Sequence, residues 1–522
     1  MFFKSRYLTS LLLLGFLAGG CTPSYPVATP QSSASPTNLA TPTASPTMSS
    51  TPIPTASPTP QPTPTPLTAL MPVVNFWSSV QNISLADLRI LLAGGHTKDF
   101  SQIVVETGAS EGLKELLGVV AGPQIEKSAT ELQASLKAGA VGLVKIEDLS
   151  PTVTALNVEG LTLFGYQRLG DPSLWPLLVP DATANFDYRS LWTLAAGGDV
   201  NLDRAIYRVA VLNKKGVDYP WAGGTSVITA QVCCGLGKNL VTRAKATGSP
   251  GAFGAVFKDS DLSLVNLEGP APNHYTYHPD GFSFSFDPAL LRGLANTGID
   301  AVGLANNHIR NAGSQGVLDT CRNLNAVGIA HTGAGSNLSA ARAPAWLTAG
   351  GQRIAFLAYD AIQGANWATA ARPGAAPLDI NQIVKDIAAA RAERADLIIV
   401  MPHWGTEYTT AISATQRRQA AAMVAAGADL VLGGHSHWVG GINLVPNNRG
   451  SAFVIYSLGD LIFDLNRDTR TQEGVIVNLT FSGNRLLQVK LLPTLLLNYS
   501  QGSLLTGSGA AQVLNDIRQS PH

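Results

Sequence analysis

The second half of the chain repeats one pattern, in which a helix-type segment runs into a short apolar segment. The pattern occurs in "DPALLRGLANTGIDAVGLANNH", "QIVKDIAAARAERADLIIVMPHWG" and "TQRRQAAAMVAAGADLVLGGHSH". Such alternation is typical of helices that cover a largely buried sheet. The later segments "GSAFVIYSLGDLIFD" and "GVIVNLTF" follow without long helices, which predicts an antiparallel part of the sheet. Residues 190–500 are therefore predicted to form an α/β domain with a mixed sheet.

Polar side chains come directly after most of these predicted strands. In open α/β sheets, ligands bind outside the carboxyl ends of the strands, so these side chains are expected to share one edge. Such a concentration of buried polar groups would be costly without a partner, and divalent cations accept mixed nitrogen and oxygen ligands. The sequence therefore predicts a metal site formed from Asp199, Asn201, Asn266, Glu268, Asn306, Asn307, His308, His403, Glu407, His435, His437 and Asp460.

The pair His435 and His437 is the most compact part of this set. A lone pair of histidines two residues apart is more commonly structural than metal-binding. On an extended backbone, residues i and i+2 point to the same face, which would direct both imidazoles to one point. Together with the other strand ends, the pair indicates metal binding.

The N-terminus has the features of an export signal, predicted over residues 1–21. Lys4 and Arg6 precede an apolar stretch too short to span a bilayer, and small residues lead to Cys21. This resembles a bacterial lipobox, which implies lipidation of Cys21 and an extracytoplasmic, membrane-anchored lipoprotein of the cell envelope. Plain secretion and an uncleaved anchor are the alternatives. Three cysteines then remain, and their disulfide pairing cannot be read from the sequence: Cys233, Cys234 and Cys321.

Residues 22–70 are predicted to be a disordered linker. The part from 22 to 66 holds 13 of the 32 prolines, interleaved with Thr and Ser, and contains no charged residue. Such a segment cannot bury a core and adopts extended, polyproline-like conformations. It would hold a folded domain away from a membrane.

Residues 73–179 are predicted to be a small α/β domain of unknown role. Helix-period patterns are followed there by a short apolar strand, without a cluster of ligand-type residues. The region faintly resembles one lobe of an extracytoplasmic solute-binding protein. Over the whole chain, 35 Lys and Arg balance 35 Asp and Glu, so no basic surface field indicates nucleic acid as a partner.

Seven landmarks between residues 192 and 489 resemble those of the bacterial CapA family of capsule and poly-γ-glutamate synthesis proteins. They are "GGDVN", "SLVNLEGP", "GLANNHIRNAG", "GIAHTGAG", "PHWGTEY", "GADLVLGGHSHW" and "YSLGDLIFD", in this order. The resemblance implies a calcineurin-like metallophosphoesterase fold, a mixed-sheet sandwich flanked by helices. It also implies two divalent metal ions, such as Mn, Fe or Zn.

The resemblance further implies a role for each residue. Asp199 and His437 would bind the first metal, Glu268 would reach both, and the second would take Asn307, His403 and His435. His308 would be the general acid that protonates the leaving group. Other polar residues would lie around the ligands, with Glu407 and Asp460 orienting ligating imidazoles; this set comprises Asn201, Asn266, Asn306, Glu407 and Asp460.

Three positions depart from the family pattern. Asn201 stands where wider metallophosphoesterases have His, Asn311 where the family commonly has Asp, and Asp460 where it usually has Asn. These differences keep the site polar but alter its charge.

Three functions are compatible with the sequence. One is a lipid-anchored protein that acts on an anionic surface polymer, with other capsule-synthesis proteins as partners. A second is a general extracytoplasmic metallophosphatase or phosphodiesterase acting on phosphoesters. A third is a polymer- or solute-binding protein with a vestigial metal site, which the full set of ligands disfavours.

Overall fold

A computed structural model describes residues 65–119, 125–233, 240–447, 450–465 and 467–520, without the side chains of 232, 233, 240 and 241. The predicted signal segment with Cys21, and the linker as far as residue 64, lie outside the described residues, as does Cys234. Cys321 is a free, partly buried thiol. No helix in the described ranges combines the length and the apolar character needed to cross a bilayer.

The N-terminal folded region is built from strands and helices packed around one apolar cluster. Its described strands are β1 (Leu67–Asn75), β2 (Asn82–Ile83), β3 (Gln102–Glu106), β4 (Ile125–Lys127), β5 (Ala140–Lys145), β6 (Val153–Ala155), β7 (Asn157–Val158) and β8 (Leu178–Pro180). Its helices are α1 (Leu85–Leu92), α2 (Ser110–Leu117) and α3 (Ala129–Ser135). The sheet order is β4-β3-β5-β1-β6, with β8 also paired to β1. Strand β1 is buried from Thr68 onward, so the fold starts inside the range predicted as linker.

The second region contains the longer alternation of strands and helices. Its strands are β9 (Leu191–Val200), β10 (Thr225–Cys233), β11 (Leu240–Ala246), β12 (Leu262–Leu267), β13 (Ala301–Gly303), β14 (Ala330–Thr332), β15 (Ala334–Gly335), β16 (Ala345–Ala349), β17 (Gln352–Asp360), β18 (Gly374–Ala375), β19 (Leu397–His403), β20 (Leu430–Leu432), β21 (Ile442–Asn447), β22 (Gly450–Ile455), β23 (Asp460–Ile462), β24 (Glu473–Ser482), β25 (Arg485–Leu497) and β26 (Gln501–Leu505). Its helices are α4 (Arg204–Tyr207), α5 (Ala252–Lys258), α6 (Leu291–Thr297), α7 (Gly313–Ala326), α8 (Leu338–Arg342), α9 (Ile380–Ala392), α10 (Ala414–Ala426) and α11 (Gly507–Gln519).

Two large mixed sheets form this region in the described residues. One has the order β11-β10-β26-β25-β24-β9-β12-β13-β14, with β23 beside β9, and the other has the order β16-β17-β19-β20-β22-β21. Strands β9, β12, β13 and β14 run parallel, whereas β24 and β25 are antiparallel to their neighbours. The predicted antiparallel part is therefore present. The region extends past residue 500, because β26 and α11 pack against the same sheet.

The two sheets pack face to face, as alternation along β17 demonstrates. Ile354, Phe356 and Ala358 lie in the core shared with the larger sheet, while Leu357 and Tyr359 lie beneath the helices on the other side. This period of two is what a strand buried on both faces produces. The predicted mixed-sheet sandwich flanked by helices is confirmed.

Helix ends set where each following strand begins. Helix α10 starts with a capping box between Ser413 and Gln416 and ends at Gly427, which adopts a left-handed conformation with φ 112°. The chain then enters β20, and α6 with Gly298 leads into β13 in the same way. Repetition of this unit brings the carboxyl ends of β9, β12, β13, β19 and β20 to one edge.

Candidate metal centre

The structure brings all six predicted metal ligands to this edge, and each is buried. The donor atoms of five of them, together with Asp460, fall into two groups of three, and within each group the atoms lie within 4.8 Å of one another. The first group contains Glu268, His403 and His435, and the second contains Asp199, His437 and Asp460. Residues separated by more than 200 positions in the chain therefore meet because their strands are neighbours in the two sheets.

The first group is completed by an amide. Nε2 of His403 lies 2.9 Å from Oδ1 of Asn307 and 3.6 Å from Oε1 of Glu268. The ring centroids of His403 and His435 are 4.8 Å apart. Two imidazoles, a carboxylate and an amide oxygen thus face a common point, which is the combination expected of a divalent cation with mixed ligands.

The second group is built around Asp199, the penultimate residue of β9. Its Oδ1 accepts a hydrogen bond of 2.7 Å from Nδ2 of Asn266, and its Oδ2 accepts one of 3.0 Å from the backbone N–H of His435. Nδ1 of His437 lies 2.8 Å from Oδ1 of Asp460 and 4.0 Å from Oδ2 of Asp199. Asp460 thus contacts an imidazole, as predicted, and is also among the atoms that can bind a cation.

The backbone at the two histidines differs from the sequence expectation. Residues 435–438 form a bend, and His435 and His437 both adopt left-handed conformations, with φ of 89° and 57°. The extended conformation considered for this pair, which would direct both imidazoles to one point, is therefore wrong. The ring centroids of the two histidines are 6.1 Å apart, and each ring belongs to a different donor group. The assignment of the two rings to different metals, which the family resemblance implied, matches the two donor groups.

Gly434 explains why this bend can approach Asp199 so closely. A Cβ atom at residue 434 would lie 2.6 Å from Oδ1 of Asp199, closer than such contacts permit. The glycine before His435 therefore allows the His435 N–H to reach the carboxylate.

Several donor atoms in the site have no hydrogen-bond partner among the described residues. They are both carboxylate oxygens of Glu268, Oδ2 of Asp460 and Nδ1 of His435. Burying unpaired polar atoms is costly, and a fully buried carboxylate needs a positive partner. The two donor groups are therefore compatible with the binding of divalent metal.

Charges within the protein compensate part of this cost. Burial disfavours the imidazolium form of His437, but Asp460, Glu268 and Asp199 outweigh it and raise its pKa to about 10. In the same way, Glu268 and Asp199 raise the pKa of His403 despite burial. Burial raises the pKa of Asp460 to about 8. The His437–Asp460 pair is thus tightly coupled, and we assign its proton to the imidazole, which several carboxylates surround.

His308 lies at the edge of the first group. Its Nε2 is 3.8 Å from Oε1 of Glu268, and its ring packs against Phe284 at 4.3 Å between centroids. Residues 307 and 308 lie in a turn that follows β13. Nδ2 of Asn311 lies 3.0 Å from Nδ1 of His308. Burial lowers the pKa of His308 to about 4.

The residues predicted to surround the ligands divide into three cases. Asn266 links Asp199 to Asn306, whose Nδ2 also donates to the Leu267 carbonyl at 2.9 Å. Asn201 is buried but points its Oδ1 at the backbone N–H of Asp203, at 2.8 Å. It therefore caps a turn. Glu407 is exposed and hydrogen-bonds Tyr408, so its expected role in orienting a ligating imidazole is not supported by its position.

Asp360 is a functional residue that the sequence analysis did not single out. It ends β17 directly opposite His403 on β19, is fully buried, and helps to raise the pKa of His403. Its Oδ2 accepts a hydrogen bond of 2.8 Å from Nε1 of Trp367. Its place after the apolar run "IAFLAYD" is the same strand-end signal that identified the other residues.

Comparison with known proteins agrees with this site. The family profile described as "Bacterial capsule synthesis protein PGA_cap" matches residues 193–465, more than half of the 522 residues. That range contains every residue of the two donor groups.

Two curated relatives match a similar range. The capsule biosynthesis protein CapA of Bacillus anthracis is 29% identical over 254 residues, which cover 47% of this chain and 60% of the relative. The PGA biosynthesis protein CapA of Bacillus subtilis strain 168 is 28% identical over 242 residues, which cover 46% of this chain and 62% of the relative. The chain thus spans about three fifths of the length of these relatives.

A calcineurin-like phosphoesterase of Bacillus subtilis is among the similar solved structures. It is 12% identical, with a TM-score of 0.31, and the match covers 63% of this chain and 96% of that one. From the family profile and its coverage, we conclude that this chain belongs to the family of bacterial capsule synthesis proteins described as PGA_cap.

Proposed function

We propose that this protein acts in the synthesis of a capsule or poly-γ-glutamate-type surface polymer, through a hydrolase-like site with two divalent metal ions. The observation that supports this most directly is the pair of buried donor groups with unpaired atoms. Membership of the PGA_cap family and the similarity to two CapA proteins support a capsule or poly-γ-glutamate-type polymer as the substrate. The proposed substrate is therefore an anionic polymer. A phosphoester is the alternative substrate, and the experiment below tests both.

The proposed ligands follow from the geometry. Glu268, His403, His435 and Asn307 would hold one cation, and Asp199, His437 and Asp460 would hold the other. Such a pair of cations activates water at neutral pH and stabilises negative charge on the substrate. Part of this arrangement is in place without a cation, because Nδ2 of Asn266 lies 2.7 Å from Oδ1 of Asp199 and 3.4 Å from Nδ1 of His403.

His308 is proposed to act on the leaving group. An amide nitrogen can only donate, so Nδ1 of His308 accepts from Asn311 and the proton of the neutral ring resides on Nε2. That N–H lies on the Glu268 side, 3.8 Å from the carboxylate. With a pKa near 4, the ring is neutral at neutral pH and donates a hydrogen bond to the leaving atom as a neutral imidazole.

Aromatic side chains close the site behind these groups. Phe284 packs on His308, and Phe463 packs on His437 at 5.0 Å between centroids. The two phenyl rings also contact each other, at 5.5 Å. This apolar wall excludes water from one side of the site and strengthens the electrostatic interactions within it.

We further propose that the protein works outside the cytoplasm, attached to the membrane through a lipid on Cys21 and held away from it by the Pro/Thr/Ser-rich segment. Other capsule-synthesis proteins at the membrane would be its partners. The support for this location is the sequence of residues 1–66.

The test begins with the purified full chain, its metal content and its activity. Elemental analysis should find divalent metal in the wild type, and much less in His435→Ala. The loaded protein is then offered a γ-glutamyl polymer and a set of phosphoesters. Cleavage or transfer on the polymer supports the proposal, while activity on phosphoesters alone favours a general metallophosphoesterase. A protein that retains no metal and acts on neither substrate would contradict both.

A further inference from the structure

Two arginines beside the proposed active site have no acidic partner in the described part of the chain. Arg310 follows His308 by two residues in the turn after β13, and Arg372 lies on the segment between β17 and β18. Both are half-buried, and Nε of each is buried without a hydrogen-bond partner among the described residues. Elsewhere in the same fold, Arg342 is paired with Asp386. No acidic side chain in the described residues neutralises the positive charges of Arg310 and Arg372, so these charges are available to an anionic ligand.

The two guanidinium groups converge on one short segment. Nη1 of Arg310 donates to the carbonyl of Ala365 at 2.8 Å, and Nη2 of Arg372 donates to the carbonyl of Trp367 at 2.8 Å. These carbonyls are two residues apart. The groups are near enough that the charge of Arg372 adds to burial in lowering the pKa of Arg310. Two like charges held together in this way favour an anion between them.

The same segment is attached to the donor groups. Nδ2 of Asn366 donates to the backbone carbonyl of Asn307, and Nε1 of Trp367 donates to Asp360, the neighbour of His403. Arg310 is also joined to Asn307 through only two intervening residues. A ligand anion held by the two arginines would therefore lie next to the reacting part of the substrate.

We propose that Arg310 and Arg372, the arginine pair, form a subsite that binds an oxyanion of the substrate adjacent to the metal centre. This inference rests on the proposed function, because it names the part of the substrate that the site recognises. Guanidinium groups match carboxylate and phosphate oxygens with paired N–H donors. In a γ-glutamyl polymer, the group bound would be the α-carboxylate that each residue carries. The arginine pair thus selects for an anionic chain and sets its register relative to His308.

A structural role for the arginines predicts a different behaviour. Their Nη atoms brace loops, as in the bond of 3.2 Å from Arg310 to Ser314, so substitution will cost some stability. Stability alone would not change the preference for a charged over a neutral ligand. Binding of matched ligands therefore separates the two roles.

The experiment measures binding to the purified full chain by calorimetry, independently of catalysis. The probes are a short oligo-γ-glutamate, the same oligomer with its α-carboxylates converted to amides, and inorganic phosphate. The variants are Arg310→Gln, Arg372→Gln, the double variant, and Lys at both positions to retain charge. Arg518→Gln, an exposed residue on α11, is the control for loss of one positive charge.

We expect the double Gln variant to bind oligo-γ-glutamate about 10- to 100-fold more weakly, as expected for lost charge-assisted hydrogen bonds. The Lys variants should recover part of this loss, and metal content should stay at the wild-type level. The amide oligomer should bind weakly to all variants. If the binding of phosphate depends on the arginines and the binding of oligo-γ-glutamate does not, the arginine pair is an anion subsite whose ligand is phosphate.

The subsite would be refuted if the double Gln variant bound both anions as tightly as the wild type does. It would also be refuted if the wild type bound neither anion. Activity is measured separately on a γ-glutamyl polymer and on a set of phosphoesters. Arginine-dependent anion binding without activity on either substrate would refute the proposed function and leave the subsite intact. Activity on the polymer with unchanged anion binding would do the reverse.

Discussion

Nδ2 of Asn311 lies 3.0 Å from Nδ1 of His308, which makes an uncharged amide the partner of the proposed leaving-group donor. An amide stabilises the neutral imidazole, whereas the aspartate common in the family at this position would stabilise the imidazolium. Burial, with the nearby charges of His403, His437 and Arg204, lowers the pKa of His308 to about 4, and the uncharged Asn311 supplies no negative charge that would raise it.

Asn311→Asp should therefore raise the pKa of His308 from about 4 toward its ordinary value near 6.5. The new carboxylate favours the charged ring. NMR titration of the metal-free variant would measure the change directly. Between pH 6.5 and pH 4, His308 of the wild type binds a proton in the unfolded state but not in the folded state. The contribution of His308 to the free energy of unfolding therefore falls as the pH falls through this range. This loss of stability at low pH should be smaller in Asn311→Asp. An unchanged pKa of His308 in the variant would contradict the contact between residues 308 and 311.

His308→Ala and His435→Ala should have different primary effects. His435 belongs to a donor group, so its removal should lower metal content first. His308 is proposed to contact substrate, so its removal should depress the rate by about 10²–10⁴-fold with metal content near normal. The penalty should shrink on an activated aryl phosphate, whose leaving group is stable as an anion without a hydrogen bond. Equal loss of metal in both variants would make His308 a ligand instead.

Metal binding should release protons and weaken as the pH falls. The pKa of His437 is about 10 in the metal-free protein, so the imidazolium must lose its proton before the ring can act as a ligand. Calorimetry in buffers of different ionisation enthalpy measures the number released. His437→Gln should bind metal more weakly and release fewer protons. A binding enthalpy independent of the buffer would show that His437 is already neutral or is not a ligand.

Glu473→Gln should stabilise the protein increasingly as the pH rises from about 4.5 to about 8. Burial and the nearby Asp516 raise the pKa of Glu473 from 4.5 to about 8. In this window the unfolded chain releases the proton while the folded protein retains it, so the contribution of this residue to wild-type stability is progressively lost. The glutamine lacks this effect. Urea unfolding at pH 5 and pH 8 measures the difference, with exposed Glu115→Gln as a control. A difference in the free energy of unfolding between Glu473→Gln and the wild type that is the same at both pH values would refute this prediction.

Cys21→Ser should release the protein from membranes or leave an uncleaved precursor. The expectation follows from the apolar segment and small residues before Cys21, whose thiol is the proposed attachment point for lipid. Fractionation and intact mass measure both outcomes. Identical fractionation and mass in the variant would exclude the lipid anchor.

The periodicity of the sequence was sufficient to predict an α/β domain with a mixed sheet and most of the polar residues at its edge, whereas the sandwich was implied by the family resemblance. Apolar runs that alternate with helical segments can bury both their faces only in a covered sheet, and the polar residues after such runs must lie at its edge. Asp199, Glu268 and His403 were predicted on this basis, and the structure places all three at that edge. The same reasoning applies to Asp360, which also directly follows an apolar run but was not predicted as a site residue.

Tertiary structure decided how these residues are distributed. His435 and His437 belong to different donor groups because the backbone takes left-handed conformations that a strand periodicity does not predict. Glu407, four residues after His403, is exposed because the chain has left the sheet edge by then. The position of each donor depends on which strands are neighbours and on the conformation of the loops between them. Both are set by contacts between distant parts of the chain, so local sequence alone does not determine them.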